Sequence, residues 1–83
     1  MQYVNCVARI ARIGNPKHKK TLKDAVTNGL TVEFICTDFT HYGQWFGKDD
    51  WPKNCIATVV GPSEVDRKWF ATVELKNGKL VVK

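Results

Sequence analysis

Short stretches in which apolar and polar residues alternate recur along most of this chain, and turn residues separate them. Alternation with a period of two places successive side chains on opposite faces of a β-strand. The pattern predicts five or six strands, over residues 3–13, 30–39, 41–48, 54–60, 68–75 and 79–83. The first of them carries a complete apolar face, formed by Val4, Cys6, Ala8 and Ile10.

The other face of the first strand also holds apolar residues, among them Val7 and Ala11. This favours a long, curved strand that serves two sides of a closed sheet. Several short strands with closely spaced turns and little helix predict a mainly β fold, a small five- to six-stranded antiparallel barrel. The chain has 83 residues, of which 43% are hydrophobic, so residues 1–83 are expected to form a single small domain.

Turn residues indicate where the strands end. Gly14-Asn15-Pro16 ends the first strand, because proline cannot donate a hydrogen bond to the ladder. Asn77-Gly78 joins the last two strands and predicts a type I′ hairpin.

The segment 21–29 has two interpretations. Thr21 and Asp24 fit the capping box of a short helix that Gly29 would end. However, Asn28-Gly29 lies between alternating residues, which is a strong hairpin signal, and a helix of two turns is marginal on its own. The hairpin is the favoured prediction.

Two pairs of adjacent aromatic residues, Trp45-Phe46 and Trp69-Phe70, are the most unusual local feature. Neighbours on a strand point to opposite faces, so both rings of one pair cannot enter the same core. Trp69 shares its face with apolar residues and is expected inside, whereas Phe70 shares its face with Thr, Glu and Lys and is expected outside.

In the other pair, Phe46 shares its predicted face with Tyr42, Gln44 and Lys48. Aromatic rings beside a cation are typical of surfaces that stack bases and pair with phosphates. This predicts that Phe46 is exposed as part of a binding surface. The alternative is that Phe46 and Tyr42 cover the end of the barrel or a neighbouring loop.

The formal net charge of +5 is concentrated in the first 23 residues, which contain no Asp or Glu. The cations of this segment are Arg9, Arg12, Lys17, Lys19, Lys20 and Lys23. A basic field on one side of a protein attracts polyanions, above all nucleic acid, through its phosphates. The alternatives are another acidic partner, or a solvated loop without a function.

Catalytic and metal chemistry are not indicated. Cys6, Cys36 and Cys55 fit no CxxC or zinc spacing and are expected to be buried, reduced thiols. The histidines do not have ligand spacing with them, and Asp49-Asp50 is expected in a turn. We therefore predict a protein that is not an enzyme and has neither a metal nor another cofactor.

Membrane insertion is not indicated either. The longest apolar runs fall far short of the roughly 20 residues that span a bilayer. Residues 1–10 do not have the pattern of a signal peptide. The expected location is the cytoplasm, or the host cytoplasm if the protein is viral.

The order of these features resembles the OB-fold: a long first strand, a basic loop, the strand LTVEFICTD, an aromatic-rich third strand, and NCIATVVGP before a terminal hairpin. The likeness is strongest to the compact single-stranded DNA-binding type, although an SH3-like barrel fits the strand count almost as well. The resemblance implies that Tyr42 and Phe46 stack bases, with Phe70 as a further candidate. It also implies that the basic residues in and after the first strand hold the nucleic-acid backbone. These are Arg9, Arg12, Lys17, Lys19 and Lys20.

Two hypotheses on function follow. The first is a non-catalytic barrel that binds single-stranded DNA or RNA by backbone neutralisation and aromatic stacking. The second is a small phage- or plasmid-type interaction module that binds a host protein, which the shortness of the chain favours. The expected partner is single-stranded nucleic acid or an acidic protein surface, and a homodimer is a further candidate. The predicted site residues are Arg9, Arg12, Lys17, Lys19, Lys20, Tyr42, Phe46, Lys48 and Phe70.

Overall fold

The structure, a computed structural model, describes residues 2–38 and 42–83. Within these residues the chain forms six strands and one helix. The elements are β1 (Gln2–Ile10), α1 (Lys19–Thr27), β2 (Val32–Cys36), β3 (Trp45–Phe46), β4 (Cys55–Pro62), β5 (Arg67–Lys76) and β6 (Lys79–Val82). The prediction of a mainly β fold is confirmed.

All six strands belong to one sheet in the order β3-β2-β1-β4-β5-β6. β1 and β4 pair in parallel, and every other neighbouring pair is antiparallel. The predicted closed antiparallel barrel is therefore wrong: in the described residues the sheet is mixed and open, with β3 and β6 at its edges. β1 lies at the centre of this sheet, and it carries apolar residues on both faces.

One face of the sheet forms the hydrophobic core, and we call it the inner face. Its buried side chains come from every strand, and Leu22 and Ala25 of α1 pack into the same cluster. The strand residues of this cluster are Val4, Cys6, Ala8, Ile10, Val32, Phe34, Cys36, Phe46, Cys55, Ala57, Val59, Ala71, Val73 and Val82. The helix therefore covers the inner face, and within residues 2–38 and 42–83 no helix covers the opposite, outer face.

The hairpin favoured for residues 21–29 is wrong, because this segment belongs to α1 and its C-terminal cap. The Gly29 N–H donates to the Val26 carbonyl, and the Leu30 N–H donates to the Ala25 carbonyl. With Gly29 at φ +74°, this is a Schellman cap. Asn28 has φ −84°, whereas a type I′ turn requires a positive φ at both central residues.

The hairpin between β5 and β6 is confirmed. Asn77 and Gly78 have φ values of 53° and 79°, as a type I′ turn requires. On β5, Trp69 is half-buried and packs against the core, and its indole N–H donates to the Pro16 carbonyl at 3.1 Å. Its inward orientation is thus as predicted. A side chain at Gly61 would collide with this indole ring, so the close approach of β4 to Trp69 requires glycine.

Candidate binding surface

A row of five apolar side chains crosses the outer face of the sheet. The strand register aligns these five residues, one from each of five neighbouring strands. In order from the edge, they are Trp45, Ile35, Val7, Val60 and Phe70. Neighbouring strands are spaced by about 4.8 Å, so this apolar row spans roughly 19 Å.

The two ends of the apolar row are aromatic and exposed. Trp45 is 43% exposed and Phe70 is 68% exposed, whereas Val7 at the centre is buried between its neighbours. The exposure of Phe70 confirms its predicted orientation. Exposed large rings at both ends of one row make this face a candidate binding surface.

Arg9 is the cation that accompanies this row. It lies on the outer face of β1, one position along the face from Val7, and its guanidinium carbon is 5.3 Å from the centroid of the Trp45 ring. This geometry is a cation–π contact, which holds the guanidinium in place beside the exposed indole. Glu33 is opposite Arg9 in the register of β1 and β2.

Polar residues flank the apolar row on its other side. Asn5, Thr58 and Thr72 are aligned across β1, β4 and β5. The Asn5 side-chain amide donates to an Asp38 carboxylate oxygen at 2.8 Å, so its orientation is fixed. Beyond this row lies Tyr3, which is 64% exposed and is aligned with Ile56.

The predicted exposure of Phe46 is wrong. Phe46 is buried, its ring stacks on Phe34 with centroids 5.9 Å apart, and it meets Trp51 edge-on at 5.1 Å. The prediction extended strand alternation over residues 41–48, but β3 holds only two residues, so Tyr42 and Lys48 do not fix its phase. Phe46 is a core residue and is not available for stacking from solvent.

Sequence reasoning missed Trp45, the partner of Phe46 in this pair, and it did not single out Tyr3. In a strand, the residues two positions before and after Trp45 would share its face. These are Gly43 and Gly47, which have no side chain that could indicate which face it is. The missing signal was the pairing of Trp45 with Ile35, which only the register of β2 and β3 provides.

The basic residues are divided between the two sides of the sheet. Arg9 lies on the outer face, and Arg12 lies in the turn after β1 with a φ of 70°. Lys17 precedes α1, and Lys19 and Lys20 lie in its first turn; all three are exposed. Because α1 covers the inner face, these lysines lie in the layer opposite the apolar row.

Tyr42 and Lys48 lie beyond the short strand β3. Tyr42 is exposed, and its hydroxyl donates to a Glu64 carboxylate oxygen at 2.8 Å. This hydrogen bond and the negative charge of Glu64 raise the pKa of Tyr42. Tyr42 is therefore joined to the loop between β4 and β5, and Lys48 is exposed in the loop that follows β3.

A cleft of about 620 Å³ separates the two edge strands. Trp45 and Phe46 of β3 line one side, and Lys79 and Leu80 of β6 line the other. The charged residues around it carry both signs: Glu33, Lys48, Asp49, Asp50 and Lys79. Such a mixed lining gives the cleft no preference for a polyanion.

The three cysteines are free and buried, as predicted. Burial raises the pKa of Cys6 and of Cys55, which keeps these thiols protonated at neutral pH. Within residues 2–38 and 42–83, His, Cys, Asp and Glu side chains form no group of three that could hold a metal ion. No helix in these ranges has the length and hydropathy needed to cross a membrane.

Comparison with known proteins finds no match among family models, curated proteins or solved structures. The strongest candidate site is the outer face, because it combines exposed aromatic rings with a positioned arginine.

Proposed function

We propose that this protein binds single-stranded nucleic acid on the outer face of its sheet, without catalysis. The observation that carries the proposal is the pair of exposed rings, Trp45 and Phe70, at the two ends of one row, with Arg9 beside Trp45. Aromatic side chains stack on bases of any sequence, and each such contact contributes roughly 1–3 kcal/mol.

The exposed rings of this face favour single strands over a duplex. Bases in a duplex are already stacked on each other, whereas unpaired bases can lie on exposed rings. Tyr3 gives the strand a third ring, and the hydroxyls of Thr58 and Thr72 between the rings are available for hydrogen bonds to bases or sugars. The site tolerates different sequences because stacking requires only the face of each base.

Phosphates are the second part of the proposal. Arg9 on the face pairs with the backbone directly, and Arg12 extends this contact from the turn after β1. The remaining cations lie in and before α1 and attract the strand from a distance through the net charge of +5. The OB-fold resemblance stays a prediction, and the proposal does not depend on it, since it uses an open sheet face.

The test is a titration of the protein with a fluorescently labelled oligo-dT and a mixed-sequence RNA at several salt concentrations. Binding is expected at low salt, and the logarithm of the affinity should fall linearly with the logarithm of the salt concentration. Trp45→Ala and Phe70→Ala should each weaken binding by roughly 5- to 150-fold, which corresponds to ~1–3 kcal/mol for one stacking contact.

Two matched controls keep this test specific. Trp45→Phe retains a ring and should retain most of the affinity. Val65→Ala removes an exposed apolar side chain, 92% exposed, from the loop between β4 and β5, and should leave binding unchanged. Absence of binding at ~100 μM protein in low salt, or equal loss from all four variants, contradicts the proposal.

The centre of the apolar row supports a second candidate function, the binding of a protein. Ile35, Val7 and Val60 form a continuous apolar strip without a charged side chain, which is typical of the centre of a protein interface. A homodimer that packs two outer faces together would cover Ile35 and Val60, which are half-buried in the monomer. Sedimentation equilibrium tests it: Val60→Lys should convert a dimer to a monomer, and a wild-type monomer at ~100 μM excludes the homodimer.

A further inference from the structure

Two of the three buried cysteines lie directly opposite each other in the sheet. Cys6 of β1 and Cys36 of β2 are partners in the antiparallel register, and both side chains point into the inner face. Both are free thiols. Their proximity follows from the register of two paired strands, and it does not depend on a loop.

The hydrogen bonds define the kind of pair. The Cys36 N–H donates to the Gln44 carbonyl, and the Cys36 carbonyl accepts from the Gly43 N–H, so its backbone groups point away from β1. The next residue, Thr37, donates from its N–H to the Asn5 carbonyl. Cys6 and Cys36 are therefore a non-hydrogen-bonded pair, in which the Cα atoms lie about 4.5 Å apart.

This separation suits a disulfide. Disulfides join cysteines whose Cα atoms are roughly 4.4–6.8 Å apart, so the pair falls within the range, at its short end. The Cβ atoms of a directly opposed pair also point to the same face, as an S–S bond requires. The bond could therefore form without separation of β1 from β2.

A small pocket that is open to solvent gives a small molecule access to Cys36. The pocket has a volume of about 130 Å³ and lies between the start of β1, the end of β2 and the start of β4, and both Cys36 and Cys55 line it. A water molecule occupies about 30 Å³, so this pocket is large enough for hydrogen peroxide. The oxidant that suits this site is therefore hydrogen peroxide.

We propose that Cys6 and Cys36 are a peroxide-oxidised pair that forms a reversible cross-strand disulfide. The Cys36 thiolate attacks one oxygen of hydrogen peroxide. The O–O bond breaks, hydroxide leaves, and Cys36 becomes a sulfenic acid. The Cys6 thiol then attacks the Cys36 sulfur, an S–S bond forms, and the oxygen leaves as water with the thiol proton. Two electrons pass from the two sulfurs to peroxide. The hydroxide takes up the proton that the Cys36 thiol lost, so peroxide ends as two water molecules.

Cys36 and Cys6 take different parts in these two steps because they lie in different places. Cys36 lines the pocket and meets the oxidant first. Cys6 does not line this pocket, and burial raises the pKa of its thiol, so its direct reaction with peroxide is slow. Cys6 is therefore the resolving thiol. Cys55 also lines the pocket, but burial raises the pKa of its thiol, so it stays protonated and reduced.

The test treats the native protein with hydrogen peroxide, quenches it with acid, and maps its peptides by mass spectrometry. Two of the three thiols should disappear, with a linked peptide that contains Cys6 and Cys36, and dithiothreitol should restore both. The matched control Cys55→Ala should form the same link. In Cys6→Ala, Cys36 should stop at the sulfenic acid, which dimedone traps when the protein is unfolded in its presence.

Several results would overturn the proposal. One such result is a linked peptide that joins Cys36 to Cys55, and another is a link between two chains. A third is that all three thiols stay intact at peroxide concentrations that oxidise an exposed cysteine peptide. The mapping of the wild-type chain gives this answer even if a variant fails to fold. The outcome is also independent of nucleic-acid binding, because neither thiol lies on the outer face.

Discussion

At the scale of single residues, the orientation of one aromatic pair determines which surface is available for binding. Phe46 fills the core between Phe34 and Trp51, and its neighbour Trp45 is exposed beside Arg9. The polar residues around Phe46 in the sequence indicated the opposite orientation. Their side chains lie outside the two-residue strand, so they carry no information about its phase. In contrast, β5 is ten residues long, and its alternation gave Phe70 its correct face.

This assignment predicts a large difference between two similar substitutions. Phe46→Ala should lower the free energy of unfolding by about 3–5 kcal/mol, because it removes a buried ring and leaves a cavity. Phe70→Ala should lower it by no more than about 1 kcal/mol, because that ring is largely exposed. Urea unfolding followed by tryptophan fluorescence measures both. The reverse order would mean that the two faces have been exchanged.

At the scale of elements, the same dipeptide has two outcomes in this chain. Asn77-Gly78 makes a type I′ hairpin, whereas Asn28-Gly29 ends a helix with glycine alone at a positive φ. The difference lies in what precedes each dipeptide. Leu22 and Ala25 are three positions apart, and together they bury one side of a helix against the sheet. Tertiary packing of these two residues decides the structure, and the local turn signal alone could not reveal it.

The N-terminus of α1 is poorly stabilised. His18 has the extended backbone of an N-cap, but its side chain makes no capping hydrogen bond, and the first turn holds no acidic residue. Lys19 and Lys20 add positive charge at the positive end of the helix dipole. His18→Asp should therefore raise the free energy of unfolding by about 1 kcal/mol, since aspartate caps the helix and opposes this charge.

Thermal unfolding followed by circular dichroism measures this gain. His18→Ala is the matched control, because it also lacks a capping oxygen, and it should change the stability by only a few tenths of a kcal/mol. A stabilisation of equal size in both variants would show that removal of histidine, and not capping, is responsible.

At the scale of the whole molecule, the sheet separates two surfaces that the sequence could not place relative to each other. The apolar row and Arg9 lie on the outer face, and the lysines of α1 lie beyond the inner face. Strand alternation predicted the number of strands and the inner face of β1 and β2. Strand alternation could not predict which strands distant in sequence pair. It therefore could not predict that β1 lies at the centre of the sheet, or that the edges of the sheet are open.

This separation predicts unequal contributions of the cations to binding. If a strand lies on the outer face, Arg9→Gln should reduce the slope of log affinity against log salt by about 1, as expected for one lost phosphate contact. The double variant Lys19→Gln/Lys20→Gln removes more charge but should leave that slope nearly unchanged. The titration described above measures both. A slope that responds to the lysines and not to Arg9 would place the strand along α1.

The parallel pairing of β1 with β4 has a consequence for how the chain folds. On one side of that pairing, β1, β2 and β3 follow one another along the chain and also lie next to one another in the sheet. On the other side, the same holds for β4, β5 and β6. The sheet is thus two three-stranded units joined along one seam, which brings together residues more than 50 positions apart, such as Gln2 and Cys55. Contacts so distant in sequence are slow to form. We expect each unit to gain structure early and the alignment of the seam to limit the rate of folding.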